Sequence, residues 1–434
     1  MNTVVVVGRA LVWLLHVFVL AFPVAVALLA VDSARRFAID RRGISTARIE
    51  PNLDDLRDAQ ERWPRVTVVV PAYNEELHLE RTLRAALGLR WPELRVLVVD
   101  DGSTDRTADV ARSLDDPRVE VVRCEQNGGK AAALNLALEM VDTDLVLQLD
   151  ADSQPERDVL EWLVPQLYRH DDVAAVTANP RVADTSSLLG ALQACEFSGT
   201  VSALRRGQAA WGRICTMSGI CTLFRREVVQ SVGGFDPRMH AEDIELSWRL
   251  HTHGWRVTYE PEALVAMQVP TTLRSWWRQR TRWSAGLVEA LRVHGRQVVR
   301  RTHRELWPLA AEAVLSILWC HALVLSALLW AVLLPVGRAN VFAESPLPGR
   351  WGAFVLVVGI FQVVWGMHLD ARHDAGILRL WWVAPLYPLL YWWLSAATVV
   401  RTTVPTLVRP LHRISWSTDR SATSGGTGTG PVRG

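Results

Sequence analysis

The apolar run Leu145 to Leu149 ends in Asp150-Ala151-Asp152. Carboxylates that close so apolar a run are costly unless a cation or a hydrogen-bonding ligand meets them. At i and i+2 on a strand end the two side chains point the same way, so they can share one hard cation and the phosphate oxygens bound to it. A pair of strand-terminal turn aspartates explains the same spacing. A second acidic pair, Asp100-Asp101, ends the run LRVLVV and precedes Gly102-Ser103. Asn127-Gly128-Gly129-Lys130 leads into the helix-period segment AAALNLAL. Glycines at such a junction let the backbone approach an anion at the helix N-terminus, with Lys130 as a mobile point charge. An ordinary glycine turn with a surface lysine reads equally well. Ile244, Trp248 and His251 follow helical spacing, which puts Glu242 and Asp243 at a helix N-terminus, where the helix dipole keeps a carboxylate ionised as a general base requires. First-turn acids also serve stability alone. Gln279, Arg282 and Trp283 lie in Thr272–Leu291, an aromatic and arginine-rich helix that also suits a membrane interface.

These residues need a frame. VTVVVPAYN, LRVLVVDDGS, VEVVRC, LVLQLDAD and VAAVTANP alternate with helix-period segments from Arg65 to about Val182. That alternation predicts a mostly parallel sheet with helices on both faces, whose ligands bind beyond the C-terminal strand ends. The first strand ends in Pro71-Ala72-Tyr73-Asn74-Glu75 without a GxGxxG, which disfavours a dinucleotide domain. His251-Thr-His253 reads as a solvated or capping turn, Cys215 and Cys221 as small buried hydrophobes, and Glu312 as either a channel residue or an interfacial one.

The chain has 434 residues, 50% of them hydrophobic and 20 of them tryptophan, with 47 Lys+Arg against 45 Asp+Glu. So balanced a charge argues against a nucleic-acid partner, and the hydrophobic content favours a membrane protein with a large polar part. Of the 47 basic residues only Lys130 is a lysine. Five cysteines without a CxxC pair point to reduced thiols and a cytosolic polar part. Uncharged runs at 10–31, 314–336, 351–367 and 380–400 read as membrane segments, the last kinked or interfacial because of Pro385 and Pro388 and flanked by Trp381, Trp382, Trp392 and Trp393 as anchors. Arginine counts place the polar middle in the cytoplasm, but the basic tail conflicts with four simple crossings unless the last segment is re-entrant or interfacial. The expected organisation is an extracytoplasmic stub (1–9), a transmembrane helix (10–31), a cytoplasmic linker (32–64), a catalytic domain (65–270), interfacial helices (271–307), three membrane segments (308–405) and a flexible tail (406–434).

The order PAYNEE, DDGS, NGGK, LDAD, AED, QRTRW resembles the membrane-embedded family 2 glycosyltransferases, and the likeness runs from about Val66 to Glu289. The finer likeness is to bacterial poly-N-acetylglucosamine synthases, with similarity to hyaluronan, chitin and cellulose synthases. Ala241 departs from the threonine usual in that branch, losing a hydroxyl beside the base. The resemblance implies an α/β GT-A (Rossmann-like) domain set between transmembrane helices in a bacterial plasma membrane. It also implies a UDP-sugar donor, a polysaccharide acceptor, Mg2+ or Mn2+, and room for a small auxiliary membrane subunit. On this reading Pro71, Tyr73, Glu75, Asp100, Asp101, Lys130, Asp150, Gln279, Arg282 and Trp283 face the donor, and Asp150 and Asp152 hold the metal. Asp243, beside Glu242, is the base, while Ser218, Gly219 and Trp283 meet the acceptor. The implied activity is inverting, processive transfer of N-acetylglucosamine with export of the chain. Its rivals are a non-processive transferase acting on a ceramide or polyprenyl lipid, and a channel or scaffold with an inactive domain.

Overall fold

A computed structural model describes residues 14–15, 17–28, 31–32, 63–333, 335, 350–374 and 376–415. The expected N-terminal stub, most of the linker and the chain beyond residue 415 lie outside these. Eight strands form one sheet: β1 (Val66–Ala72), β2 (Leu94–Asp100), β3 (Val119–Arg123), β4 (Leu145–Leu149), β5 (Ser153–Pro155), β6 (Val173–Val182), β7 (Cys221–Arg225) and β8 (Arg256–Met267). Their order is β3-β2-β1-β4-β7-β6-β8-β5. All five strands read from the sequence are present. The sheet is mixed: β3-β2-β1-β4 is parallel throughout and β6 pairs parallel with β8, but β7 runs antiparallel to both β4 and β6, and β5 antiparallel to β8.

β1 and β4 are buried along their whole length, as apolar runs covered on both faces must be. In β1, Val66, Val68 and Val70 pack with Leu79, Leu83, Leu160 and Leu163, while Val69 packs with Leu134, Phe224 and Leu246 on the other face. Register then sets the chemistry. Pairing of Leu149 with Cys221 brings the turn before β7 beside the carboxylate end of β4, where the Asp150 N–H donates to Ile220 O at 3.0 Å.

Six helices matter for the site and its surroundings: α1 (Lys130–Met140), α2 (Glu242–Thr252), α3 (Leu273–Val298), α4 (Trp307–Leu333), α5 (Arg350–Asp370) and α6 (Trp392–Val408). Among the described residues two stretches are long and apolar enough to cross a membrane, Arg301–Val332 and Ala353–Asp370; Val17–Leu28 is a shorter apolar helix. The run 380–400 is not one helix. A 3-10 turn (Ile377–Leu380) is followed by non-helical turns and a π-helical turn (Tyr387–Tyr391) before α6 begins. Pro385 and Pro388 cannot donate to a helical ladder and crowd the preceding turn, which accounts for the break. Trp381 and Trp382 are exposed, but Trp392 packs into the interior edge-on to Trp319, 5.4 Å between rings, so the expected set of four anchors is not uniform. α6 lies on α3, and Arg292 of α3 donates to Thr406 O and Arg409 O.

A π-helical turn, Phe197–Ser202, crosses α5 at a glycine contact. A Cβ on Gly366 would lie 2.5 Å from Gly199 Cα, and one on Gly199 would lie 2.8 Å from Val363 Cα. Only two glycines let the backbones approach this closely. Beside the crossing, buried Asp370 accepts hydrogen bonds from Arg181, Arg206 and Ser202, tying the end of α5 to the catalytic domain.

Candidate active site

The site forms where the C-terminal ends of β1 and β4 meet the turn before β7, the start of α2 and the middle of α3. A cavity of about 2570 Å³ opens there. It brings together Glu75, Lys130, Asp150, Asp152, Ser218, Gly219, Glu242, Asp243, Gln279, Arg282 and Trp283. Pro71, Tyr73, Asp100 and Asp101 do not line it.

Asp101 holds the glycine loop. Its two carboxylate oxygens accept the N–H groups of Gly128 and Gly129 at 2.9 and 2.7 Å, which pins the glycine loop to the end of β2. Gly129 sits at φ +91°, where a side chain is strained, so the sharp entry into α1 needs a glycine. Asp100 is fully buried, accepting from Ser103 N–H at 2.9 Å and facing Arg123 Nε at 3.4 Å. Glu75 is likewise buried, and its N–H donates to Thr107 Oγ1.

Lys130 is the first residue of α1 and is not the mobile charge its loop suggested. Its Nζ lies 2.6 Å from Asp150 Oδ1 and 3.2 Å from Glu242 Oε1. Burial alone would lower its pKa, but Asp150, Glu242 and Asp243 outweigh that and raise it, so the ammonium stays charged. Burial, with the charge of Asp152 added, pushes Asp150 up to about 6 despite Lys130. The cleft thus carries more carboxylate than one ammonium neutralises.

Asp243 stands on the first turn of α2, as the sequence spacing requires. Its Oδ2 accepts the Gly219 N–H at 2.7 Å and its Oδ1 the Ile244 N–H at 2.8 Å. Burial and the neighbouring Glu242 charge raise its pKa, against Lys130 and the Gly219 N–H; Lys130 and Arg282 together overcome burial to lower that of Glu242. Adjacent carboxylates are thereby pushed apart, one toward a proton acceptor and one toward a permanent anion. Gly219 is fixed from the other side by Gln148, whose Nε2 donates to its carbonyl at 3.0 Å. A Cβ at Gly219 would approach Lys130 Nζ to 2.8 Å and Asp243 Oδ2 to 3.2 Å. Gly219→Ala is therefore expected to lower turnover about tenfold or more by displacing the base while the melting temperature stays near wild type; unchanged turnover would mean the cluster tolerates the shift.

α3 reaches the start of α2 through a close approach of its own. A Cβ at Gly286 would fall 2.3 Å from Ala241 Cβ, so neither position has spare volume. Buried Glu289 of α3 accepts from the His240 N–H at 2.8 Å and meets its Nδ1 at 2.6 Å, latching the turn that leads to Asp243. Arg282 donates to His240 O at 3.3 Å. Ala241 caps α2 with no side-chain hydrogen bond, as its methyl requires. Trp283 is held by Arg280, whose guanidinium lies 4.1 Å over the ring, and by Phe197 edge-on at 6.3 Å. Arg280 is itself anchored by Glu196 and Tyr391.

Three features were not anticipated. Phe197, Val201 and Arg205, four residues apart, present one helix face to the cavity. The segment 409–415, expected as part of a flexible tail, lies across the glycine loop before α1: Ile414 N–H donates to Pro237 O at 3.0 Å, and a Cβ on Gly129 would strike Ile414 O at 2.2 Å. His251 is not solvated. It is 1% exposed within α2, hydrogen-bonded to Ile214 O at 2.8 Å, and burial pushes its pKa down to about 4, so it is a neutral core residue. His253 does cap α2, its Nδ1 meeting Arg249 O. Glu312 accepts from Gln208 Nε2 at 2.8 Å, a contact to the catalytic domain. Burial holds the Cys215 and Cys221 thiols well above their ordinary value, which excludes nucleophilic work at neutral pH.

A parallel half-sheet, a Lys–Asp–Glu cluster at its strand ends and a carboxylate on the facing helix are arranged as in a glycosyltransferase domain of the GT-A-like kind. Residues 64–286 match the model of the family described as glycosyltransferase like family 2, and the chain belongs to that family. It is 32% identical over 346 residues to a poly-beta-1,6-N-acetyl-D-glucosamine synthase of Staphylococcus epidermidis, covering 77% of this chain and 82% of that one. A poly-beta-1,6-N-acetyl-D-glucosamine synthase of Staphylococcus aureus is 30% identical over 391 residues, covering 88% and 92%. The fold is similar to that of a mannosyltransferase from Pyrobaculum calidifontis, solved with GDP-Man and Mn2+, at a TM-score of 0.56 and 23% identity over 86% of this chain and 99% of that one. The curled mixed sheet is thus the GT-A-like fold that the motifs implied.

Proposed function

We propose that this enzyme polymerises N-acetylglucosamine from a UDP-sugar into a β-linked polysaccharide at a bacterial membrane, by inversion at the anomeric carbon. The observation that carries the chemistry is Asp243, half-buried on the cavity wall beside Lys130 and pinned by the Gly219 N–H. Its free basicity faces the space where an acceptor would lie. The sugar identity is supported by the synthases of similar sequence.

An acceptor hydroxyl loses its proton to Asp243 while its oxygen attacks the anomeric carbon. The bond from that carbon to the diphosphate oxygen breaks in line, and UDP departs with the bonding electrons. Attack opposite the leaving group converts an α-linked donor to a β-linked product. Lys130 and Arg282 supply positive charge on the diphosphate side, and Trp283 offers an apolar face to a sugar ring. The α4 and α5 helices anchor the domain at the bilayer, where the product would be led away.

The donor set fits a divalent cation. Asp150 and Asp152 are hard oxygen ligands whose mutual repulsion is already visible in the raised Asp150 pKa. Among the described residues no group of three or more acidic, His or Cys side chains encloses a metal position, which suits an ion completed by substrate phosphates and water. Asp150 and Asp152 would hold Mg2+ or Mn2+, which when bound adds positive charge to the leaving diphosphate.

Purified enzyme given a panel of UDP-sugars with Mg2+ or Mn2+ is expected to release UDP fastest from UDP-N-acetylglucosamine and not after chelation. Equal release from all sugars, or release that survives chelation, would overturn the donor and metal assignments respectively. Because the Asp243 pKa is raised, the base becomes protonated, and the rate falls, at a higher pH than for an ordinary aspartate. The acid limb of the kcat/KM profile, which reports the free enzyme, is thus expected above the usual aspartate range near 4. An acid limb at or below that range would contradict the assignment.

A further inference from the structure

Arg205 is 8% exposed and lines the cavity, yet its side chain makes no hydrogen bond or ion pair among the described residues. Its Nη1 is fully enclosed without a partner. The other buried arginines nearby are all engaged: Arg206 by Asp370 and Ser202, Arg181 by Asp370, and Arg280 by Glu196 and Tyr391. A desolvated guanidinium without a counter-ion is costly, and a site that keeps one gains by receiving oxygen atoms from a ligand.

Its position says which ligand. Arg205 follows Phe197 and Val201 on one helix face, and Phe197 packs edge-on against Trp283. Lys130 lies among Asp150, Glu242 and Asp243, whereas Asp243 is the one carboxylate of this cluster whose charge is felt at Arg205. The charge of Asp243 is thus felt by both cations that line the cavity here, Lys130 and Arg205. Lys130 belongs to the side where Asp150 and Asp152 meet the diphosphate, and Arg205 to the side of the aromatic pair.

We propose that Arg205 reads the acceptor, its guanidinium donating hydrogen bonds to oxygen atoms of the sugar whose hydroxyl Asp243 deprotonates, the acetamido carbonyl foremost. An amide carbonyl is the strongest neutral acceptor on an N-acetylated sugar. A free 2-amino group, protonated near neutral pH, would instead be repelled. The residue thus selects for an N-acetylated chain end and orients it toward the base. This rests on the transferase reading of the cavity and deepens it.

The test uses the full chain with UDP-N-acetylglucosamine and two short β-linked acceptors, an N-acetylglucosamine oligosaccharide and its de-N-acetylated counterpart. Wild type is expected to favour the acetylated acceptor in kcat/KM, and Arg205→Gln to reduce that preference about 10- to 100-fold, the value of a hydrogen bond to a charged group. The change should lie mainly in acceptor KM. Arg205→Lys, which keeps the charge but loses the planar fork, should fall between the two. A purely structural role would lower both acceptors together and leave the ratio at its wild-type value, and that result in both variants would overturn the proposal. Should Arg205→Gln fail to fold, Arg205→Lys decides by the same ratio. Wild type that releases no UDP from UDP-N-acetylglucosamine would instead overturn the function reading, a failure visible before any acceptor is compared.

Discussion

Asp243→Asn is expected to abolish sugar transfer while UDP binding stays near wild type. The amide can keep its oxygen on the Gly219 N–H, which holds the side chain at 2.7 Å now, and gives up only the Oδ1 contact to the Ile244 N–H at the start of its own helix. What is lost is the capacity to take a proton from the acceptor hydroxyl. General-base loss costs about 10²- to 10⁴-fold. Single-turnover transfer measured beside UDP affinity by calorimetry separates the two effects, and retained turnover would remove Asp243 from the mechanism.

Lys130→Met is expected to have the second large effect, and on a different quantity. It leaves Asp150, Glu242 and Asp243 facing one another without the ammonium that now lies 2.6 and 3.2 Å from two of them. Removing one partner from a fully buried ion pair costs about 3–5 kcal/mol, and less is expected here because the Asp150 side chain keeps 27% of its surface exposed. Part of that cost is escaped by protonation, Asp150 being already pushed up to about 6. The variant should therefore take up protons on folding, lose thermal stability and bind UDP-sugar weakly. Lys130→Arg tests shape rather than charge. A planar fork must fit where a Cβ on Gly219 would already stand 2.8 Å from the ammonium, so donor use should fall although the charge is kept. Wild-type melting and donor KM in both variants would reduce the chain's only lysine to a coincidence of composition.

How far the sequence carried depended on whether a feature was local. The five apolar runs that became β1, β2, β3, β4 and β6 announced themselves by length and β-branched content. Lys130 and Asp243 were placed by the glycines before α1 and the helical spacing of α2. β8 was not read, because Glu260, Pro261 and Glu262 interrupt its apolar pattern where its pairing with β6 is irregular. β7 is five residues long, and its direction follows from sheet pairing alone. Asp101 reads as a donor contact because a strand-end carboxylate suits a nucleotide; that it also pins the glycine loop depends on a segment 27 residues away. The sites of Arg205 and Ile414 were illegible for the same reason, each depending on contacts between distant segments. The spacing of Phe197, Val201 and Arg205 was the one available hint, and only the cavity gives it meaning.

The central claim is that the Asp243 cluster builds a β-linked N-acetylglucosamine chain. It is tested most directly by supplying purified enzyme with UDP-N-acetylglucosamine and Mg2+ or Mn2+ and determining the size and anomeric configuration of the product. The structure and its relatives predict a β-linked polymer formed with stoichiometric UDP release and lost in Asp243→Asn. A single sugar on a lipid, an α-linked product, or a polymer still made by Asp243→Asn would contradict it.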